Sequence, residues 1–140
     1  MVEIPTVSQL LRQAYLRGVR DFFLDAKTSN AQVRIYSGVQ PATPGGALTI
    51  TEVLLATLVL DKPSGAISGD DLILVSSTVT LVTNTGTATW ARVVDGDGNW
   101  GLDTNVGGPG SVAANTAGIE LDSVNLVAGG KVAMLSGKFQ

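Results

Sequence analysis

The sequence predicts a mainly β protein, an antiparallel β-sandwich or jelly roll that is preceded by one amphipathic α-helix. Three observations predict it: apolar residues at helical spacing near the N-terminus, alternating spacing beyond residue 30, and turn residues at short intervals. The 140 residues suit one structural domain, in which a helical segment (residues 1–30) precedes a β body (residues 31–140).

The helix is expected to begin at a capping box and to run for about five turns. Thr6 and Gln9 form a T-x-x-Q pattern, in which the Thr6 hydroxyl accepts the Gln9 N–H. The helix is expected to end between Lys27 and Asn30. Apolar residues recur at steps of three and four along it: Val7, Leu10, Leu11, Ala14, Tyr15, Val19, Phe22 and Phe23.

This apolar stripe has two interpretations: it covers the domain's own sheet, or it docks on a partner chain. Leu16 supports docking, because it falls among the polar positions and is expected to be exposed. Gly18 costs a helix about 1 kcal/mol relative to Ala and would let another backbone approach. The candidate interface residues are Leu11, Arg12, Tyr15, Leu16, Arg17, Val19, Arg20 and Phe22.

The β body is expected to contain short strands separated by loops rich in Gly, Pro, Asp and Asn. Such spacing favours an antiparallel sandwich or jelly roll over alternating βαβ units. The predicted strands are residues 32–37, 48–51, 53–60, 72–82, 87–95, 100–106, 119–126 and 131–139.

The residue inventory argues against an enzyme. The chain has no His and no Cys, which excludes an imidazole base, thiolate chemistry and disulfide bonds. Asp70 and Asp71 are adjacent, and neighbours on a strand point to opposite faces, so they are poorly placed to share a proton or an ion. We therefore predict no catalytic residues, no metal ligands and no cofactor.

Charge and hydropathy argue against nucleic-acid and membrane partners. Residues 1–34 hold five basic and three acidic residues, and residues 35–140 hold four basic and nine acidic ones, which is no basic footprint. The longest nearly apolar run, residues 53–60, is too short to span a membrane, and the N-terminus does not resemble a secretory signal. We expect synthesis in a cytoplasm.

The stretch TGTATWARVVDGDGNW predicts a hairpin and also contains half of a calcium-binding motif. Asp95, Asp97 and Asn99 match its first half, D-x-D-x-N. The sixth position, which needs Gly, is Trp100, and the twelfth, which needs Glu, is Val106. We therefore expect a tight turn, with a calcium- or carbohydrate-binding site at the hairpin tip as the alternative.

Trp90 and Trp100 lie on the two strands of this predicted hairpin. Pairing places neighbouring side chains on a common face, so both rings are expected to cover one side of it. Packing in the core is expected for at least one of the two rings.

Four segments carry a resemblance, in the order VRIYSGVQPATP, LLATLVL, GTATWARVVDGDGNWGLDTNVG and VAGGKVAMLSGKF. Together they resemble a family of small structural proteins encoded among the head and tail genes of tailed bacteriophages. The resemblance covers most of the chain and is strongest over residues 33–107.

The resemblance implies a component of the virion that has no catalytic residues and is made in the host cytoplasm. We expect a capsid decoration, or cement, protein on the capsid surface that bridges neighbouring subunits of the shell, with a neck or tail component as the alternative. The implied partners are the major capsid protein or other virion proteins, and further copies of the chain in a dimer or trimer.

Overall fold

The computed structural model describes residues 8–140, and its first element is a helix. Helix α1 spans Gln9–Val19 and continues as a π-helical segment, Arg20–Leu24. Ser8 is its N-cap, because the Ser8 hydroxyl accepts the Leu11 N–H at 3.2 Å.

The observed bounds of the helix differ from the predicted ones. The predicted capping box depends on Thr6, which lies outside the described residues. At the other end, helical conformation stops at Leu24 rather than at residues 27–30. Asp25 turns out of the helix, and its carboxylate accepts the Ser64 N–H at 3.0 Å. The helix therefore ends where it is attached to the β body.

Twelve strands follow the helix within the described part of the chain. They are β1 (Gln32–Tyr36), β2 (Leu54–Val59), β3 (Gly65–Ser68), β4 (Asp71–Leu74), β5 (Thr80–Leu81), β6 (Gly86–Thr87), β7 (Trp90–Val94), β8 (Trp100–Gly107), β9 (Ile119–Leu121), β10 (Asn125–Leu126), β11 (Lys131–Val132) and β12 (Met134–Phe139).

Eight of these strands form one large curled sheet in the order β2-β1-β7-β8-β9-β12-β4-β3, and β5 with β11 and β6 with β10 form two short ladders. The predicted mainly β fold with one N-terminal helix is confirmed. The expectation of purely antiparallel pairing is wrong at β8 and β9, which run parallel with Val106 opposite Ile119. Residues 108–118 connect them and are long enough to return the chain in the same direction.

The predicted strand at residues 48–51 is wrong, because a turn lies there. The Glu52 carboxylate accepts the Thr49 N–H at 2.8 Å and the Thr51 hydroxyl at 3.2 Å. Hydrogen bonds from the hydroxyl and N–H of Thr49 lower the pKa of Glu52 below its usual value. The chain curls around this carboxylate instead of extending.

Other strand predictions differ in their bounds. β3 lies in the segment DKPSGAISGDD, which its Pro and Gly residues led us to predict as a loop. The predicted strand at residues 72–82 is divided into β4 and β5, because the Asp61 carboxylate accepts the Ser77 N–H at 2.9 Å and holds the chain away from the sheet. The predicted strands at 119–126 and 131–139 are each divided in two.

The buried apolar residues form one core that the helix, the large sheet and the short ladders share. Ile35 and Val93 come from the sheet, Leu16 from the helix, and Leu126 and Val132 from the ladders. Burial of one such side chain stabilises the fold by roughly 1.5–3 kcal/mol. The helix is thereby fixed to the β body.

The helix packs on the hairpin formed by β3 and β4 through a narrow face centred on Leu16, which is 2% exposed. Beside it, Arg12 forms an ion pair with Asp70 at 3.3 Å. The side-chain amide of Gln13 donates to the Gly69 carbonyl at 3.0 Å. The prediction that Leu16 is exposed is wrong, because polar residues on the buried face bind the hairpin.

Much of the predicted apolar stripe faces solvent as a result. Phe22 is 86% exposed and Leu10 is 77% exposed, whereas Val19 and Phe23 pack against the core. The interpretation that the whole stripe covers the domain's own sheet is therefore wrong. We call the exposed group the helix surface: Leu10, Leu11, Tyr15 and Phe22.

Replacing Leu16 by Ala is expected to lower the free energy of unfolding by about 2–5 kcal/mol, because it removes buried methyl groups and leaves a cavity. The matched change Leu10→Ala, on the exposed side of the same helix, is expected to stay within about 0.5 kcal/mol. Urea denaturation of both variants measures the two values. Equal losses would contradict the observed orientation of the helix.

Candidate functional site

The turn between β7 and β8 is organised around the carboxylate of Asp95, which is 3% exposed. This carboxylate accepts the Asp97 N–H at 3.0 Å, the Asn99 N–H at 2.8 Å and the Asn99 side-chain amide at 2.9 Å. The Gly98 N–H donates to the Asp95 carbonyl at 3.0 Å, and Gly98 has a φ of +84°. The predicted turn is confirmed.

Opposing effects set the pKa of Asp95. Burial raises it, but hydrogen bonds from the side chain and N–H of Asn99 and from the N–H of Asp97, with the charge of Lys27, lower it. Their net effect holds the pKa of Asp95 below its usual value. The carboxylate is therefore charged at neutral pH, inside the turn that it organises.

The turn also packs against the segment that follows the helix. A Cβ on Gly96 would overlap the carbonyl of Ser29, so a residue with a side chain does not fit there without a shift. The ammonium of Lys27 lies 3.7 Å from the Asp97 carboxylate. These contacts fix the hairpin tip beside the end of the helix.

The same contacts favour the turn over a calcium site. The Asp95 oxygens, which a calcium ion would need, already accept N–H groups, and Asp97 faces Lys27. Within residues 8–140, no group of three or more Asp, Glu, His or Cys residues is placed to hold a metal ion. The observed hydrogen bonds are those of a turn that is closed by its own carboxylate.

Both tryptophans lie on one face of the hairpin, as predicted. Trp90 is buried and stacks on Tyr36, with ring centroids 4.5 Å apart and ring planes 14° apart. The Arg92 guanidinium lies 5.5 Å from the Trp90 ring centroid and donates two hydrogen bonds to Asp103, at 2.8 and 3.0 Å. Asp103 also accepts the Trp100 ring N–H at 3.1 Å. One side-chain network thus joins the two rings.

Residues 38–52 form a loop that lies over this network. The Gly46 carbonyl accepts a hydrogen bond from the Arg92 guanidinium at 3.0 Å. Gly45 lies against the Trp100 ring, where a Cβ would be 2.9 Å from the nearest ring atom. The middle of the loop is therefore anchored to the sheet.

Three apolar side chains near the ends of this loop are exposed as well. We call Val39, Leu48 and Ile50 the loop surface, in which Ile50 is 97% exposed.

On the helix, a Cβ on Gly18 would have no atom within 4 Å, so no described part of the chain uses the space above it. These two groups of exposed apolar side chains are the candidate contact sites of the protein.

The structure separates the predicted interface residues into distinct groups. Leu16 is buried in the core and does not contribute to a surface, and Val19 is half-buried. Arg12 and Arg20 hold the helix to the β body, the latter by donating to the Gly65 carbonyl at 3.4 Å. The members that remain exposed are Leu11, Tyr15, Arg17 and Phe22.

An apolar cavity of about 190 Å³ lies between the helical segment and the large sheet. Trp100, which is 43% exposed, is the most exposed of its lining residues. The helical segment and four strands line it. The helical segment contributes Val19, Phe23 and Leu24, and the strands contribute Leu74, Val93, Trp100, Gly101, Leu102 and Phe139.

This cavity has almost no signal in the sequence. Phe23 belongs to the predicted stripe, and its helical spacing from Val19 was the available signal. Nothing in the sequence pairs the helix with the last strand, from which Phe139 comes. A cavity formed by the two ends of a chain requires the tertiary arrangement.

The adjacent carboxylates Asp70 and Asp71 have different partners. Asp70 pairs with Arg12, whereas Asp71 accepts the side-chain amide of Gln140 at 2.8 Å. They do not form a shared site, in agreement with the expectation from their positions.

Comparison with known proteins gives no relative for this chain. The sequence matches no protein-family model and no characterised protein, and no solved structure is detectably similar to the fold. Among residues 8–140, no helix has the length and apolar character needed to cross a membrane.

Replacing Asp95 by Ala is expected to lower the free energy of unfolding by about 2 kcal/mol, because the turn N–H groups lose a charged, buried acceptor. Asp97→Ala is the control, since Asp97 is exposed, and should change stability by less than about 0.5 kcal/mol. Urea denaturation measures both variants at neutral pH. Similar losses in the two variants would contradict the role of Asp95.

The contribution of Asp95 is expected to depend on pH. Its pKa is lower in the folded than in the unfolded chain, so its stabilisation is complete above the unfolded value of about 3.9 and is lost as the pH falls through the folded value. The stability difference between wild type and Asp95→Ala should stay constant from about pH 7 to pH 5 and shrink below about pH 4. A difference that grows on acidification would contradict the sign of the shift.

Calcium is expected to leave the protein unchanged, because the turn uses its own carboxylate oxygens. Millimolar Ca²⁺ should shift the thermal unfolding midpoint by less than about 1 °C, since a ligand stabilises only in proportion to its binding. Isothermal titration with Ca²⁺ and with a glycan panel measures binding directly. Binding heat that is present in the wild type and absent in Asp97→Ala would contradict this prediction and would support a binding site at the hairpin tip.

Proposed function

We propose that the protein is a capsid decoration, or cement, protein of a tailed bacteriophage and has no enzymatic activity. It binds the outer shell and bridges neighbouring major capsid subunits. The observation that carries the proposal is the exposure of apolar side chains on two separate surfaces. A bridging protein needs at least two surfaces, because it contacts two partners at once.

The helix surface supplies one of these contacts. Phe22 and Leu10 are mostly exposed, although side chains of this kind gain roughly 1.5–3 kcal/mol on full burial. Arg17, also exposed, adds a positive charge beside them. An apolar centre with charge at its rim is the usual composition of a protein interface.

The loop surface supplies the second contact. Arg92 and Trp100 anchor the middle of residues 38–52, while Val39 and Ile50 point outward. A loop that is already held in place loses less conformational entropy when it binds. Repetition over many copies strengthens even a weak contact of this kind.

One of the two edge strands of the large sheet, β2, is not free to pair with a partner. The Leu55 carbonyl accepts the Thr83 N–H at 2.8 Å, and the Thr57 carbonyl accepts the Thr80 hydroxyl at 3.0 Å. The outer edge of β2 is thus covered by the chain itself. We therefore assign the capsid contacts to side chains of the two surfaces rather than to strand addition at β2.

A sandwich or jelly-roll arrangement is part of the same proposal. Leu126 and Val132 of the short ladders share their core with Ile35 of the large sheet, which supports a second β layer over that core. Two packed layers would give the stiffness that a shell-stabilising protein needs.

Particles of the phage that encodes this chain are expected to carry it on the head surface, in numbers comparable to the capsid subunits. Mass spectrometry of purified particles gives the copy number, and electron microscopy gives the position. If only a few copies are found, and they lie at the neck or tail, the protein is a neck or tail component rather than a cement protein. Absence from particles would contradict both functions.

The Ile50→Asp variant is expected to reduce occupancy on heads at least about tenfold, because a carboxylate is costly to bury in an apolar contact. Val127→Asp is the matched control, since Val127 is exposed outside both surfaces. Occupancy is measured on particles assembled with each variant, together with their heat resistance. Normal occupancy and heat resistance with Ile50→Asp would show that the loop surface does not contact the capsid.

A further inference from the structure

The cavity between the helical segment and the sheet is larger than the voids that a packed core usually leaves. Protein interiors hold few voids larger than a water molecule, whereas this cavity measures about 190 Å³. In another protein, an apolar cavity of roughly 150 Å³ stays dry and binds benzene. The volume found here therefore admits a single six-membered ring.

Contacts outside the cavity hold two of its aromatic walls in place. Trp100 donates its ring N–H to Asp103 at 3.1 Å, and Gly45 lies so close to the same ring that a Cβ there would be 2.9 Å from it. Phe23 lies against Gly101, where a Cβ would be 2.8 Å from the Phe23 ring. Turning the Trp100 ring into the space would break its hydrogen bond and its contact with the loop. The cavity is thus formed before any ligand arrives, as binding sites for small molecules usually are.

The lining favours an uncharged aromatic ring. The described residues that line the cavity are all apolar or aromatic, apart from Gly101. Phe23, Trp100 and Phe139 contribute three rings, and aromatic rings gain from edge-to-face or offset contacts with a further ring. Because the ring N–H of Trp100 is already bonded to Asp103, a charged ligand would lose its water without gaining a partner.

We propose that this cavity binds a small free aromatic molecule, which is a single uncharged ring with at most a short apolar substituent. Apart from Trp100, the lining residues are buried or half-buried, so the ligand is largely enclosed. An aromatic side chain of a partner protein fits less well, because the peptide groups that accompany it would be left without hydrogen bonds. The site shares no residue with the helix surface or the loop surface and does not depend on the capsid function.

Toluene is the probe for this site in the purified wild-type protein. Isothermal titration is expected to give a dissociation constant of about 1 mM or lower, which is within reach of a ligand of this size. Toluene at several times that concentration should raise the thermal unfolding midpoint by about 2 °C or more, because it binds the folded state. Benzoate, a ring of the same size with a negative charge, is the matched control and should do neither.

Filling the cavity should remove the binding. Val19→Phe adds a ring at a half-buried lining position and is expected to weaken toluene binding at least about tenfold. Val127→Phe is the matched control, since Val127 is exposed and lies outside the cavity, and it should bind toluene as the wild type does. Circular dichroism confirms that both variants are folded.

Nuclear magnetic resonance locates the ligand in the wild type without any substitution. Toluene is expected to show nuclear Overhauser effects to the methyl groups of Leu74 and Val93, two buried lining residues. Absence of toluene binding, contacts to other methyl groups instead, equal binding of benzoate, or unchanged affinity in folded Val19→Phe would each overturn the proposal. Tighter binding of N-acetylphenylalaninamide than of toluene would assign the cavity to a protein side chain and would overturn the free ligand.

Discussion

The buried carboxylate of Asp95 is the constraint on which the rest of the site depends. Its hydrogen bonds to Asp97 and Asn99 close the turn and start β8 at a defined residue. The register then has Val94 opposite Trp100 and Val93 opposite Leu102, which leaves Gly101 as an extra residue. This bulge turns Trp100 to the side of Asp103, away from the side that strict alternation would give it. A charge buried in a turn therefore sets the position of an aromatic ring.

Trp100, once placed, links three parts of the molecule. Its ring N–H bonds to Asp103, which also holds Arg92 over the buried Trp90. One part of its ring contacts Gly45 of the loop at residues 38–52, and it also lines the cavity beneath the helical segment. A change at the hairpin tip would consequently reach both the loop surface and the cavity, although it is distant from them in sequence.

Sequence patterns predicted the features that depend on local order. The hairpin, its turn and the helix follow from spacing and from Gly, Asp and Asn at fixed positions. The spacing did not predict which face of the helix is buried. Arg12 and Gln13 on that face bind the hairpin of β3 and β4, and the spacing of residues cannot reveal such partners. The bulge at Gly101, the parallel pair of β8 and β9, and the cavity depend on contacts between distant segments, which one sequence does not contain.

The way in which the helix docks explains why this protein carries an exposed apolar stripe. On the inner face, Leu16 is buried and an ion pair and a hydrogen bond to the hairpin lie beside it, whereas the outer face carries Tyr15 and Phe22. Such residues are costly to leave in water and favour contact with another surface. The inner side of the helix is therefore occupied by the β body, and its outer side is the one that a partner can contact.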